Sequence, residues 1–147
     1  MSLLPRKGLL AIAAVVDVAL NARERPVSAK ALAARHGLPP RHLEPVLQAL
    51  VHDGILRGVR GPHGGYALGR ERGAISIDDI VRAAATVRDR DDPTLASELI
   101  ATVVSPAVAE AERAFAGALA RINVDDLARR AETVGQRAHP AEADFTI

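Results

Sequence analysis

The 147 residues carry 48% apolar and 25% charged side chains, proportions that suit one globular domain, or one domain with an appendage, around a buried core. Cysteine is absent, which excludes a disulfide-framed fold, a thiolate metal site and a thiol nucleophile. The net charge of +1 conceals a split: residues 1–72 hold 11 Lys+Arg against 5 Asp+Glu, and residues 73–147 hold 8 against 13.

The first element is expected from Pro5 to about Asn21, because proline suits a first helical turn. Leu9, Ile12, Ala13, Val16 and Leu20 form one apolar stripe, with Leu10, Ala14, Val15 and Val18 on a second face. A helix apolar on nearly all sides needs cover from two directions, one of which a second subunit can supply. The run from Gly8 to Val16 stops at Asp17, is too short to span a bilayer and lacks a small-residue cleavage site. A buried helix in a cytoplasmic, nucleoid-associated protein is therefore the expectation, with no membrane partner.

After "RERPV", Ser28 is a good N-cap for a second helix, "AKALAARH", and Gly37 a left-handed terminator. A third helix is expected from Pro40 to about Asp53, closed by Gly54. Leu43, Val46, Leu47, Leu50 and Val51 make its inner stripe, and Arg41, Glu44, Gln48 and His52 its outer face. Two short helices joined by a glycine-containing turn read as helix-turn-helix, although an ordinary helical hairpin has the same outline. "ILRGVR" and "GYALGR" are short strand signals around Gly61-Pro62-His63-Gly64, and a hairpin in this place makes a winged helix. Ser76 and Asp79 then suggest a capping box opening "AISIDDIVRAAAT".

Val87 to Pro93 reads as a charged loop and "TLASELIATVV" as a short helix. Ser105-Pro106 open a long helix whose stripe is Ala111, Phe115, Ala118, Leu119 and Ile122. "NVDDLARRAE" resembles a last short helix, and residues 135–147 a loose tail.

The glycine-rich stretch "GVRGPHGGYALGR" decides between enzyme and binding protein. An oxyanion loop of the lipase kind needs a Gly-x-Ser-x-Gly elbow, and a P-loop needs Gly-Lys-Ser/Thr opening a helix; the chain has neither. His36, His42, His52, His63 and His139 are scattered, with no two at ligand spacing on one helix face. No catalytic or metal constellation is found, so the chain reads as a binding protein, not an enzyme. As a wing, the stretch has glycines whose N–H groups can approach phosphates, and Arg60 at its root favours the negative potential of a narrow minor groove. A glycine hairpin with a solvated arginine is the plainer alternative. Tyr66 is read as structural, its ring turned to the helices. The basic front half suits a polyanion partner, unless the split is a chance fluctuation in a charge-rich chain.

The stretch "VSAKALAARHGLPPRHLEPVLQALVHDGILRGVRGPHGGYALGRERGAISIDDIVRAA" resembles the Rrf-two family of bacterial winged-helix transcription regulators. The "LE" of the third helix, "L…GIL", "RGPxGGYxL" and "ISIDDIVRA" carry the likeness, which covers residues 3 to 85. It implies a mainly α fold: a winged helix-turn-helix with a two-stranded β wing over residues 1–85, then a linker loop and dimerisation helices over 86–134. It further implies a homodimer, paired through the stripe from Ala111 to Ile122, on an imperfect palindrome of double-stranded DNA. The third helix would lie in the major groove and the wing in the minor groove. By motif, Glu44 would accept from a cytosine amino group. Arg41 and His42 would meet bases or phosphates; Arg60, Gly61, His63 and Gly64 would be wing contacts. Gln48 lies on the same outer face. Arg6, Lys7 and Lys30 join them as phosphate partners on composition and placement.

Two departures from the family stand out. Pro45 falls inside the recognition helix, where its ring opposes the carbonyl four residues back. Sensing members carry three cysteines after the fourth helix that ligate an iron–sulfur cluster, and "TVRDRDDPTLASEL" has none. No cluster and no other cofactor is expected, and an effector, if there is one, is a small molecule or a protein. The rival reading is a winged-helix module that docks on proteins.

Overall fold

The computed structural model describes residues 3–87 and 97–138, with side chains described as far as Gly135. The expected charged loop falls mostly outside the described residues, as do residues 139–147 of the expected tail. Among the described residues the fold is mainly α, with six α-helices and one two-stranded antiparallel sheet.

Helix α1 spans Arg6–Asn21, with Pro5 extended just ahead of it. The core takes its second face: Ala11, Ala14, Val15 and Val18 are buried against α4, α6 and α3. The other stripe, Leu9, Ile12, Ala13, Val16 and Leu20, lines a surface groove with Leu127. Helix α2 spans Ala29–His36; the Ser28 hydroxyl accepts from Ala31 N–H at 3.0 Å, and Gly37 terminates it at φ 64°. Left-handed Gly37 turns the chain so that Leu38 N–H returns to the Ala33 carbonyl.

Helix α3 spans Pro40–His52 and sinks Leu43, Val46, Leu47 and Leu50 into the core. Val51 departs from the expected inner stripe: it is 37% exposed, because at the last turn no described element covers it. Pro45 lies inside the helix and on its exposed side. There its ring meets solvent instead of core, but it still removes one backbone donor. Pro45→Ala is expected to stabilise the fold by about 1–3 kcal/mol in urea unfolding, since it returns that donor and removes the ring's clash with the Arg41 carbonyl.

Strands β1 (Leu56–Val59) and β2 (Gly65–Leu68) pair antiparallel, Leu56 opposite Leu68 and Gly58 opposite Tyr66. They are shorter than the sequence suggests because Arg60 to Gly64 form the turn, closed by Gly64 N–H on the Gly61 carbonyl with Gly61 at φ 119°. A second pairing joins β2 to the chain before α2: Val27 N–H reaches the Tyr66 carbonyl at 2.9 Å, and Tyr66 N–H reaches the Val27 carbonyl at 2.7 Å. The wing is thereby strapped to the helix-turn-helix, and the half-buried Tyr66 packs on the core.

Helix α4 spans Ile77–Ala85, opened by the reciprocal Ser76–Asp79 capping box. Burial raises the Asp79 carboxyl, but the Ser76 hydrogen bonds and the nearby Arg70 and Arg82 outweigh it and hold the group below its usual range. Of the segment read as a separate short helix, the described part, from residue 97 on, is continuous with the long one. It passes through a π-helical turn at Ile100–Val104 into α5, Ser105–Ala120. Ser105 N–H bonds the Ile100 carbonyl, five residues back, and Pro106 has no N–H to continue the ladder.

Helix α6, Val124–Ala138, runs beyond "NVDDLARRAE" and four residues into the expected tail. Asn123 and Asp126 cap it reciprocally, and the Ser76–Asn123 bridge ties its start to that of α4. No helix among the described residues is long and apolar enough to cross a membrane.

Candidate nucleic-acid interface

The outer face of α3 presents Arg41, His42, Glu44 and Gln48 to solvent, and the wing presents Arg60, Gly61 and His63. Gly64 is half-buried. The structure gathers these residues in two places. At one, Arg6 and Lys7 from α1 share a groove with Arg41 and His42 from α3. At the other, the wing tip (Pro62, His63 and Gly64) closes a groove against Ser28 and Ala31 at the start of α2. Arg60 lies beside Ser28 and Ala29 at the wing's root. Lys30 is exposed on the first turn of α2, and Glu44 and Gln48 are exposed and line neither of these two grooves.

Arg25, at the edge of the wing groove, was missed by the sequence reading. Its signal was modest: a basic residue three positions before the Ser28 N-cap, where helix polarity favours an anion.

The electrostatics separate the two halves of the chain. Among the described residues, Arg6, Lys7, Arg25, Lys30, Arg41, Arg57 and Arg60 have no carboxylate within ion-pair distance. Beyond the wing, Arg70 and Arg82 pair with Asp79 and Arg72 and Arg129 with Asp125, while Arg113, Arg121 and Arg130 have no carboxylate partner among the described residues. Seven of the ten unpaired cations among the described residues thus lie before the end of the wing, on or beside the start of α1, the helix-turn-helix and the wing, a concentration suited to a polyanion.

A second cluster holds these elements in register. Asp17 on α1, 7% exposed, accepts from Arg35 Nη2 at 2.7 Å and Nε at 2.8 Å, both on α2. His36 Nε2 lies 3.0 Å from the same carboxylate, and Asn21 Nδ2 donates to it at 3.0 Å. Burial pushes the Asp17 carboxyl up, but hydrogen bonds from Arg35 and Asn21, the Arg35 charge and His36 together outweigh it, leaving the group below its ordinary value. Arg35 is held correspondingly high by Asp17.

The stripe expected on a dimer face divides. Ala111, Phe115 and Leu119 line a groove with Val81 and Ala85 of α4, while Ile122 and Leu119 pack on the chain's own core. Ala118 is exposed.

A family profile described as Rrf2, iron-dependent transcriptional regulator, matches residues 4–130. The chain belongs to the Rrf2 family of transcriptional regulators. It is 38% identical over 80 residues to the HTH-type transcriptional regulator IscR of Enterobacter sp. (strain 638), a match covering 54% of this chain and 49% of the relative. IscR of Klebsiella pneumoniae matches to the same extent. The chain thus spans about half the length of the curated relatives it matches. Among solved structures, T. potens IscR superposes with a TM-score of 0.69 at 28% identity, covering 89% of each chain. CymR (YrzC), the global cysteine regulator of B. subtilis, gives 0.66 at 25% identity, covering 88% of this chain and 98% of CymR. These likenesses match the winged-helix architecture and the resemblance read from the sequence.

The family description names iron, and the donors among the described residues of this Rrf2 protein do not fit it. The chain has no cysteine, and among the described residues no group of three or more His, Asp or Glu is placed to hold a metal ion.

Proposed function

We propose that this Rrf2 protein is a sequence-specific double-stranded DNA-binding regulator of transcription that acts as a homodimer on an imperfect palindrome. The observation that carries the reading is the concentration of unpaired cations, Arg6, Lys7, Arg25, Lys30, Arg41, Arg57 and Arg60, in the part of the chain that holds the helix-turn-helix and the wing. In this reading α3 lies in the major groove, where Glu44 accepts from a cytosine amino group and Arg41, His42 and Gln48 contact neighbouring edges or phosphates. The wing sets Arg60 and the backbone of Gly61, His63 and Gly64 against the minor groove, and Arg6, Lys7 and Lys30 neutralise phosphates. No resident cofactor is required, and the protein acts without catalysis in the bacterial cytoplasm.

Sequencing genomic DNA retained by the protein at near-physiological salt supplies the operator, and fluorescence anisotropy on that duplex supplies the energetics. The affinity is expected to fall steeply with salt, by about 10³-fold or more between 50 and 200 mM for six or more phosphate contacts. A shallow slope would favour docking on a protein. Glu44→Ala is expected to relax discrimination at one base pair by about 1–3 kcal/mol, whereas Arg60→Ala weakens binding and flattens the salt slope.

The homodimer is supported by α5 and the π turn before it, which hold no fully buried residue yet, with Leu99 just ahead of them, expose Val103, Val104 and Val108. A second copy would cover that apolar surface. Equilibrium sedimentation is expected to give twice the chain mass at micromolar concentration, and Val103→Asp to give the single mass.

A further inference from the structure

The groove between the starts of α1 and α3 has a composition that phosphate binding does not account for. Its volume, about 830 Å³, falls within the roughly 300–1,000 Å³ usual for small-molecule sites. Arg6, Lys7, Arg41 and His42 stand at its rim, and no carboxylate lines it among the described residues. None of the four has an ion-pair partner there. Its floor is apolar: Leu9 is 46% exposed, and Leu10, Leu38 and Val46 continue the surface between the helices. A phosphodiester would satisfy the rim and leave the floor in water. A molecule with an anionic head and an apolar body satisfies both.

We propose that this groove binds a small amphipathic organic anion, a carboxylate on a medium-length hydrocarbon body, and that the bound anion weakens DNA binding. The second clause rests on the DNA-binding reading above, because the groove and the proposed DNA surface share Arg41 and His42. The head group sits among Arg6, Lys7 and Arg41, and the body lies on Leu9, Leu10 and Leu38. Lys7 Nζ also donates to the Val87 carbonyl at 2.5 Å, so the rim is joined to the end of α4 and its cation is held in place. Two ligands that need the same arginine oppose each other, and by linkage the opposition is reciprocal.

The test uses the full chain with labelled leucine and valine methyl groups, titrated with sodium decanoate and, separately, with decanol. Saturable shifts at Leu9, Leu10, Leu38 and Val46 with decanoate but not decanol are expected. Arg6→Glu and Arg6→Ala, both at an exposed position, are expected to weaken that binding about tenfold or more, the worth of one charge-assisted contact. Decanoate is also expected to raise the apparent Kd for the operator duplex about tenfold at tenfold excess over its own Kd. Absence of saturation, equal binding of decanol, unchanged binding by both Arg6 variants, or shifts centred on Val81, Val108 and Leu119 would each overturn the site. Saturable decanoate binding with an unchanged duplex affinity would overturn the regulatory clause alone. Decanoate binding by a chain that binds no duplex would sustain the site and remove the DNA reading.

Discussion

Gly65→Ala is expected to abolish operator binding at concentrations where the wild type is saturated, and to cost about 2–4 kcal/mol of stability. A Cβ added at Gly65 would stand 2.6 Å from the carbonyl carbon of Val27 and 2.8 Å from the nitrogen of Ser28, both backbone atoms that cannot swing aside. Relief requires β2 to lift from the chain before α2, which breaks the paired Val27–Tyr66 hydrogen bonds. Two buried backbone bonds lost together, with their donors and acceptors left unmatched, account for the stability cost. The loss of binding has a geometric origin: the wing tip and the start of α2 no longer frame one groove. Gly61→Ala, in open space but at φ 119°, is expected to strain the turn without moving the strap. Urea unfolding and anisotropy on the same samples separate the two effects. A Gly65→Ala protein that keeps both stability and affinity would show that the strap does not position the wing.

Asp17→Ala is the second large effect. It removes the carboxylate that Arg35 grips through two nitrogens and that His36 and Asn21 also contact. Breaking a buried pair from one side typically costs about 3–5 kcal/mol. Here Arg35 is 43% exposed and recovers water, so about 2–3 kcal/mol is expected, or a Tm lower by roughly 5–10 °C. The same group sets an acid limit. Because the folded carboxyl lies below its ordinary value of 3.8, its contribution is complete above that pH and is lost as pH falls through the folded value. Wild type should therefore lose stability relative to Asp17→Asn as pH drops below about 4, and the two should run parallel at neutral pH. Parallel curves throughout would mean that Asp17 titrates normally.

The elements that could be read from the sequence were those fixed by local chemistry. Ser28, Gly37 and the Ser76–Asp79 box bound their helices through contacts made within a turn, and the wing glycines mark a turn that few other residues permit. What was not legible depended on distant partners. Asp17 looked like a mere interruption of an apolar run; Arg35 and His36, which explain it, lie 18 and 19 residues away. The two apolar faces of α1 are equally apolar in sequence, and only the packing of α3, α4 and α6 selects the one that is buried. Val51 satisfies the helical arithmetic yet sits past the edge of what covers α3. Ser105-Pro106 looked like a helix start because proline favours first turns, but a π turn carries the helix through it. Of the candidate interface, the third helix and the wing hairpin were legible as elements through their motif. Arg25 and the pairing of the α1 start with the α3 start were not.

The bridge between Ser76 and Asn123 bears on how the protein can be divided. Val124 N–H bonds the Ile75 carbonyl, Ile77 N–H bonds the Ile122 carbonyl, and Val124 is completely buried among the core residues of the front half. A boundary near residue 85, the limit expected from the sequence, therefore does not divide the packing. The front half is not a portable cassette: transplanted without α6, it would leave Ile75 and Ile77 with unfilled space and unpaired backbone. Chimeras that exchange the front half between relatives must carry the first two turns of α6 with it, or rebuild that plug from the recipient.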